Sequence, residues 1–291
     1  MRLPGGQKFS LWPPSVIPRI LGKDNPAIPP LQRSMNTTTW LDALNTSSER
    51  LLKTVRDLPD DVLARPSFAD RWSVAQVLSH LGSGAEVSTM LVQRGIDGDT
   101  TTLTVDDVRP IWQRWDALPA AAQREAWLGA DRRHRALLAS LDAQQLEAVR
   151  VPYFAGLLSL PTYLGYRLSE QSVHAWDIEV ALDPAATIPA AEVELLWDRL
   201  DLVATRFRDA DILQRLAPRQ LALELPDRTR TLDLHDELHL IDSAPQDPAA
   251  TVTGSAEALL RLIYGRNRPE DGVNVTGDVV LDDLRRLFPG F

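Results

Sequence analysis

The chain has 291 residues, 44% of them hydrophobic and 24% charged, which is enough to bury a sizeable core and to form two domains of ordinary soluble composition. Its formal net charge of -9 argues against a sequence-independent nucleic-acid surface, which needs clustered Lys and Arg. Cysteine is absent, so disulfides, thiolate metal ligands, cysteine nucleophiles and Fe–S clusters are excluded; a metal must sit among His, Asp and Glu, and thiol chemistry must use a thiol from solution.

Residues 1–34 are rich in proline and glycine, with Pro13-Pro14 and Pro29-Pro30 breaking any period, and read as an N-terminal arm rather than a domain. Met35, just ahead of the Thr37-Thr38-Thr39 run, reads as an alternative start. Trp40, Leu41, Leu44, Leu51, Leu52 and Val55 then recur at three- and four-residue spacing and predict a helix that ends near Leu58-Pro59. Ser73 suits the N-cap of a second helix, which carries Val74, Val77, Leu78, Leu81 and Val87 inward and includes His80. A third helix is expected over residues 119–141, with Trp127, Leu137, Leu138 and Leu141 as its apolar positions. A fourth begins near Pro161, because proline is tolerated in a first turn where its missing N–H would have been unpaired. These four helices, over residues 35–184, predict a bundle, an architecture that builds metal sites from side chains facing inward on different helices.

After Asp183-Pro184 the pattern changes. A long helix is expected over residues 189–213, with Val193, Leu196, Trp197, Leu200, Val203 and Phe207 inward. Period-two segments follow at Leu221, Leu223 and Leu225, at Leu232 and Leu234, and at Leu238 and Leu240, with Pro226-Asp227-Arg228 as the first turn. Residues 251–253 and 273–275 read as two further strands, each followed by a glycine (Gly254, Gly277) and a helix, over 255–264 and 278–288, with Ser255 and Asp278 as caps. Residues 185–291 therefore predict a small α+β domain. No run of about 18 apolar residues occurs, and the N-terminus lacks an apolar stretch ending in a small-residue cleavage site, so the expectation is a cytoplasmic protein with neither membrane nor nucleic-acid partners.

The chemistry-bearing stretch is residues 164–182, L-G-Y-R-L-S-E-Q-S-V-H-A-W-D-I-E-V-A-L. Read as a helix, it brings Glu170 and His174, four residues apart, onto one face. They supply two of the three protein donors of an open zinc-type site, which keeps a position for water or substrate. The same spacing also occurs in ordinary surface pairs worth only ~0.2–0.5 kcal/mol. His80, amid Val77, Leu78 and Leu81, has the setting of a hydrogen-bonded core histidine; its claim as third donor rests on Glu170 and His174 lying on another helix of the same bundle. His134 sits in D-R-R-H-R and reads as part of a solvated face. His235 and His239, in L-H-D-E-L-H-L, superficially match the zinc signature H-E-x-x-H. However, Asp236 stands where the general-base Glu belongs, and the flanking leucines alternate with the period of extended chain, which leaves these histidines at most a weak or pocket-lining role.

The segments R-W-S-V-A-Q-V-L-S-H-L (residues 71–81) and E-Q-S-V-H-A-W-D-I (residues 170–178) resemble the mycothiol-dependent maleylpyruvate isomerase family, whose first domain is a DinB-like four-helix bundle. T-V-T-G-S-A-E-A-L-L-R-L-I-Y-G-R and V-N-V-T-G-D resemble the sterol-carrier-like α+β domain that closes these proteins, so the resemblance runs from about residue 39 to the end. It implies metal ligands at His80, Glu170 and His174, a divalent metal (zinc first) and mycothiol as thiol cosubstrate. The implied activity is a mycothiol-dependent isomerase or S-transferase acting on a small molecule. Thiolate addition would turn a double bond into a rotatable single bond, and elimination would return the more stable isomer. Asp177 is a candidate acceptor for orienting a ligating imidazole, or else a surface charge. A dicarboxylate substrate would need cationic partners, and Arg167, Arg261, Arg266 and Arg268 are available. Two rivals stay open: a metal-dependent hydrolase or lyase without thiol cofactor, and a non-catalytic small-molecule binding protein.

Overall fold

The computed structural model describes residues 36–69 and 71–290, so the expected arm over residues 1–34 and the alternative start at Met35 lie outside the described residues. The described chain divides into two compact units, one reaching Ala186 and the other running from Thr187 onward. Among the described residues, no helix is long and apolar enough to cross a membrane.

The first unit opens with α1 (Thr37–Val55), whose N-cap Asn36 accepts a hydrogen bond from the Thr38 N–H. The short α2 (Asp60–Leu63) precedes α3 (Val74–Ile96). Ser73 starts α3 as its sequence suggests, in a reciprocal box: the Gln76 N–H donates to Ser73 Oγ, and the Ser73 N–H donates to Gln76 Oε1. Next come α4 (Val105–Asp116), α5 (Ala120–Ala139) and α6 (Ala143–Ala148). A hairpin of β1 (Arg150–Tyr153) and β2 (Gly156–Ser159) leads into α7 (Leu160–Leu182), with Pro161 in its first turn.

The long helices α1, α3, α5 and α7 form the expected bundle, with α3 packed on α5 and α7, and α1 on α7. Trp40, Leu44 and Leu51 of α1, Leu78 and Leu81 of α3, Trp127 of α5, and Leu164, Leu168 and Trp176 of α7 are all buried in this unit. At Gly82 a Cβ would stand only 2.3 Å from Trp115 Cη2 and 3.1 Å from the Trp127 Cα, so glycine is what lets the Trp115 ring of α4 and the backbone of α5 approach α3. Helix α4 was not expected from the sequence. Its Val108, Ile111, Trp112 and Trp115 are buried at helical spacing, but Pro110 interrupts the stretch and charged residues surround it.

The second unit begins with α8 (Ala190–Trp197), α9 (Leu200–Phe207) and α10 (Ala210–Leu216), where the sequence predicts one long helix. Periodicity holds, yet tertiary contacts and a cap break the rod. Trp197 Nε1 donates to the Ala256 carbonyl, Asp201 Oδ1 accepts from the Leu240 N–H, and Asp209 caps α10 by accepting from the N–H groups of Asp211 and Ile212. Then come β3 (Arg219–Glu224), β4 (Thr229–Leu234), β5 (Leu238–Ile241), β6 (Ala250–Thr253), α11 (Ala256–Ile263), β7 (Asn274–Gly277) and α12 (Leu281–Leu287). The five strands form one sheet in the order β5-β4-β3-β6-β7, with β3 and β6 parallel and all other pairs antiparallel. Ser255 caps α11 as expected, accepting from the Ala258 N–H. Asp278 does not cap the last helix: its N–H extends the sheet by donating to the Ala249 carbonyl, which delays the helix to Leu281. A helical bundle followed by a small α+β domain is the fold class that the sequence predicts.

Candidate metal centre

Helix α3 supplies His80, and α7 supplies Glu170 and His174. Four residues along α7 is slightly more than one turn, so Glu170 and His174 stack on the face turned toward α3. His80 Nε2 lies 3.0 Å from Glu170 Oε2, and His174 Nε2 lies 3.7 Å from the same oxygen. One donor atom from each of the three residues falls within 4.8 Å of the others, and both histidines are buried. The imidazole rings meet edge to face, with centroids 4.6 Å apart.

The surroundings orient these groups. His174 Nδ1 donates to Asp177 Oδ2 at 2.9 Å, which turns the opposite ring nitrogen, Nε2, toward Glu170. The loop before α3 is tied to the same turn of α7: the Phe68 N–H donates to the Asp177 carbonyl, and the Phe68 ring packs edge-on against Trp176 at 4.8 Å. That loop carries Trp72, whose ring lies 4.9 Å from His80 and 5.8 Å from His174 and so lines one side of both imidazoles. The sequence motif includes Trp72 but gives no hint of this placement, because the anchoring bond from Phe68 is purely tertiary.

Burial lowers the His80 pKa below the ordinary histidine value; the Glu170 hydrogen bond works against it, and the charges of His174 and Arg167 reinforce it. His80 is therefore a neutral imidazole at pH 7. For Glu170, burial favours the protonated acid, but the His80 hydrogen bond and the charges of His80, His174 and Arg167 outweigh it and hold the pKa down to about 2. A neutral His80 imidazole, an ionised Glu170 carboxylate and the Nε2 edge of His174 thus converge on a common point. This donor set fits a divalent cation, and the proton that His80 donates to Glu170 lies where such a cation would sit.

The remaining histidines fall elsewhere. His134 corrects the sequence reading: it is buried rather than solvated, and its Nε2 shares a 2.7 Å hydrogen bond with the Tyr163 hydroxyl. Its run is charged in composition but helical in phase, so Trp127, Ala130, Asp131, His134 and Leu138 face inward, with Asp131 accepting from Ser48 Oγ and Arg135 Nε. Burial drives the His134 pKa well below 6.5, helped by the charges of Arg167 and Arg135. The unfolded chain binds a proton there at mildly acid pH and the folded chain does not, so this residue's contribution to stability is present above pH 6.5 and lost as pH falls below it. Thermal unfolding of the metal-free protein should show the midpoint falling from pH 7 toward pH 5, and falling less steeply in His134→Gln, which keeps a polar partner for Tyr163 but cannot titrate. His235 and His239 are exposed and lie beside different carboxylates, His235 by Asp233 at 2.7 Å and His239 by Glu237 at 3.4 Å and Asp201 at 3.5 Å. Extended chain is observed at His239, on β5. Among the described residues, His80, Glu170 and His174 are the group of this kind able to hold a metal.

Residues 44–179 match the family model of the mycothiol maleylpyruvate isomerase N-terminal domain, and residues 198–281 match that of the corresponding C-terminal domain. Among solved structures, the fold is similar to a mycothiol-dependent maleylpyruvate isomerase, with 17% identity, 84% of this chain and 95% of that chain covered, and a TM-score of 0.61. A histidine-to-alanine mutant of the mycothiol-dependent maleylpyruvate isomerase gives 16% identity over the same shares, again with a TM-score of 0.61. At these identities the likeness establishes the fold. No curated protein matches the sequence. Because the two family models follow one another in order across the bundle and the α+β unit and together span most of the chain, the protein belongs to the mycothiol maleylpyruvate isomerase family.

Proposed function

We propose that this protein is a divalent-metal-dependent, mycothiol-dependent isomerase or S-transferase of a small molecule, with the metal, zinc first, held by His80, Glu170 and His174. We assign that chemistry to the bundle, residues 35–184, with residues 185–291 as its α+β companion. The observation that carries the reading is the convergence of three donor atoms within 4.8 Å on two helices of the bundle. When bound, the metal supplies a Lewis acid that shifts a thiol toward thiolate near neutral pH. The chain itself does the rest. Asp177 fixes the ring orientation of His174, Glu170 stays ionised, and His80 stays neutral and able to donate its lone pair. Trp72 lines the imidazoles on the side of its loop. The absence of cysteine agrees with an enzyme whose nucleophilic sulfur arrives with its cosubstrate.

The test is elemental analysis of the purified protein followed by turnover of maleylpyruvate, and of electrophilic small molecules that accept a thiol, with and without mycothiol. The expected result is near-stoichiometric divalent metal and turnover only when both metal and mycothiol are present. A protein that takes up no zinc, nickel or manganese overturns the reading. A metal-loaded protein equally active without mycothiol moves it to the hydrolase or lyase class.

A further inference from the structure

Among the described residues of the bundle, one buried cation is left over by the proposed metal-ligand set. Arg167 lies on α7, three residues before Glu170, and is only 5% exposed. Its guanidinium reaches across to α3, where a Cβ on Gly84 would stand 3.1 Å from Nη1. Gly84 is one turn past His80. His80 faces Glu170 and His174, while Gly84 faces Arg167, so the two helices run in opposite directions and the guanidinium lies one turn along from the three donors. Its charge reaches His80 and Glu170 on one side and His134, Tyr153 and Tyr163 on the other.

Among the described residues, Arg167 forms no ion pair, and its buried Nε has no hydrogen-bond acceptor. Glu170 and Arg167 act on each other through space. A guanidinium cannot escape burial by losing its proton, so a buried one needs an anion. Glu170 provides that anion only while it is not neutralising a divalent cation of its own. The other arginines considered from sequence belong to the second unit and are committed there. Arg261 forms ion pairs with Glu257 and Asp271 at 2.6–2.9 Å, Arg268 donates to Asp271, and Arg266 donates to the Tyr264 carbonyl. Beside Arg167, burial raises the pKa of Tyr153 and pushes that of Tyr163 up to about 12, so both phenols remain protonated and able to donate.

We infer that Arg167 is the anion-binding residue of this site: its guanidinium fork takes a carboxylate of the small-molecule substrate one helical turn from the metal position, with Gly84 providing the space. The inference rests on the proposed function for what the carboxylate is attached to, but the anion site stands on Arg167 itself. A planar fork matches a carboxylate through two parallel hydrogen bonds, which would fix how the reacting carbons point at the metal position and select carboxylate substrates over neutral ones.

The experiment is calorimetric titration of the zinc-treated full-length protein with fumarate, a dicarboxylate whose trans geometry prevents chelation, and with the uncharged isostere fumaramide. Metal content and melting temperature are measured on every sample. The parent should bind fumarate in preference to fumaramide. Arg167→Gln should lose roughly 10- to 100-fold in fumarate affinity with metal content unchanged, and Arg167→Lys should fall between, because an ammonium keeps the charge without the fork. Gly84→Ala, which leaves the guanidinium in place but crowds it, should also weaken fumarate; it carries the test should Arg167→Gln fail to fold. Unchanged fumarate affinity in a folded Arg167→Gln, no preference of the parent for fumarate over fumaramide, or a folded Gly84→Ala binding like the parent overturns the inference. The two readings fail separately. Metal uptake without Arg167-dependent fumarate binding removes the anion site alone. Arg167-dependent fumarate binding in a protein that takes up no divalent metal keeps the anion site and removes the proposed function.

Discussion

Replacing His80 or His174 with alanine is expected to abolish stoichiometric metal binding and to lower turnover by on the order of a thousandfold, since a bound metal supplies several kcal/mol of charge stabilisation and each ~1.4 kcal/mol is tenfold in rate. The reason is the small size of the donor set. Three protein donors meet at this point, and removing one leaves an imidazole and a carboxylate, which no longer enclose a cation. His80→Ala also strips Glu170 of its hydrogen-bond donor, so the folded state of that variant has to be checked separately. His80→Gln is the companion variant: it retains a donor for Glu170 and should keep the fold while still losing the metal. His235→Ala and His239→Ala provide the contrast, because both residues are exposed on the second unit and their loss should leave metal content at the parent level. Elemental analysis of the five variants and the parent, read beside their melting temperatures, decides the matter. Full metal occupancy in a folded His80→Gln, or depletion in His239→Ala, would move the site away from the bundle.

The contrast between the two histidine pairs shows what could be read from the chain. The i, i+4 spacing of Glu170 and His174 carries information because the surrounding apolar residues recur with a helical period, whereas the same spacing in His235 and His239 is embedded in an alternation of two. Local patterns of that kind also mark the caps at Ser73 and Ser255. They do not mark what depends on contacts distant in sequence. The run D-R-R-H-R looks solvated by composition, yet its phase on α5 turns His134 toward Tyr163 and Asp131 toward Ser48, partners 29 and 83 residues away. The helix expected over 189–213 is periodic throughout, yet Asp201 bonding to the Leu240 N–H and Asp209 capping a new helix cut it into three. In the candidate site the three residues and the helices that carry them were legible, while the place of Trp72 against both imidazoles and the reach of Arg167 over Gly84 depend on how α3 and α7 cross.

The second large effect is expected at Asp177, a carboxylate with no solvent exposure that accepts the Nδ1 proton of His174 at 2.9 Å. Its charge makes the opposite nitrogen of the ring more basic and locks the tautomer that presents a lone pair to the metal position. Asp177→Ala should raise the dissociation constant for zinc by about 10- to 100-fold, the range seen when the partner of a ligating histidine is removed. It should also cost about 1–3 kcal/mol of stability, because the buried Nδ1–H of His174 loses its acceptor. Asp177→Asn separates the two effects: its carbonyl oxygen can still accept the Nδ1 proton, so most of the stability should return while part of the affinity loss remains with the missing charge. The backbone tie between the Asp177 carbonyl and the Phe68 N–H is present in every variant, so the loop that carries Trp72 stays anchored and the comparison isolates the side chain. Chelator competition gives the zinc affinity and thermal unfolding gives the stability. If Asp177→Asn binds zinc as tightly as the parent, the carboxylate serves only to satisfy a buried imidazole, and the basicity of His174 does not depend on it.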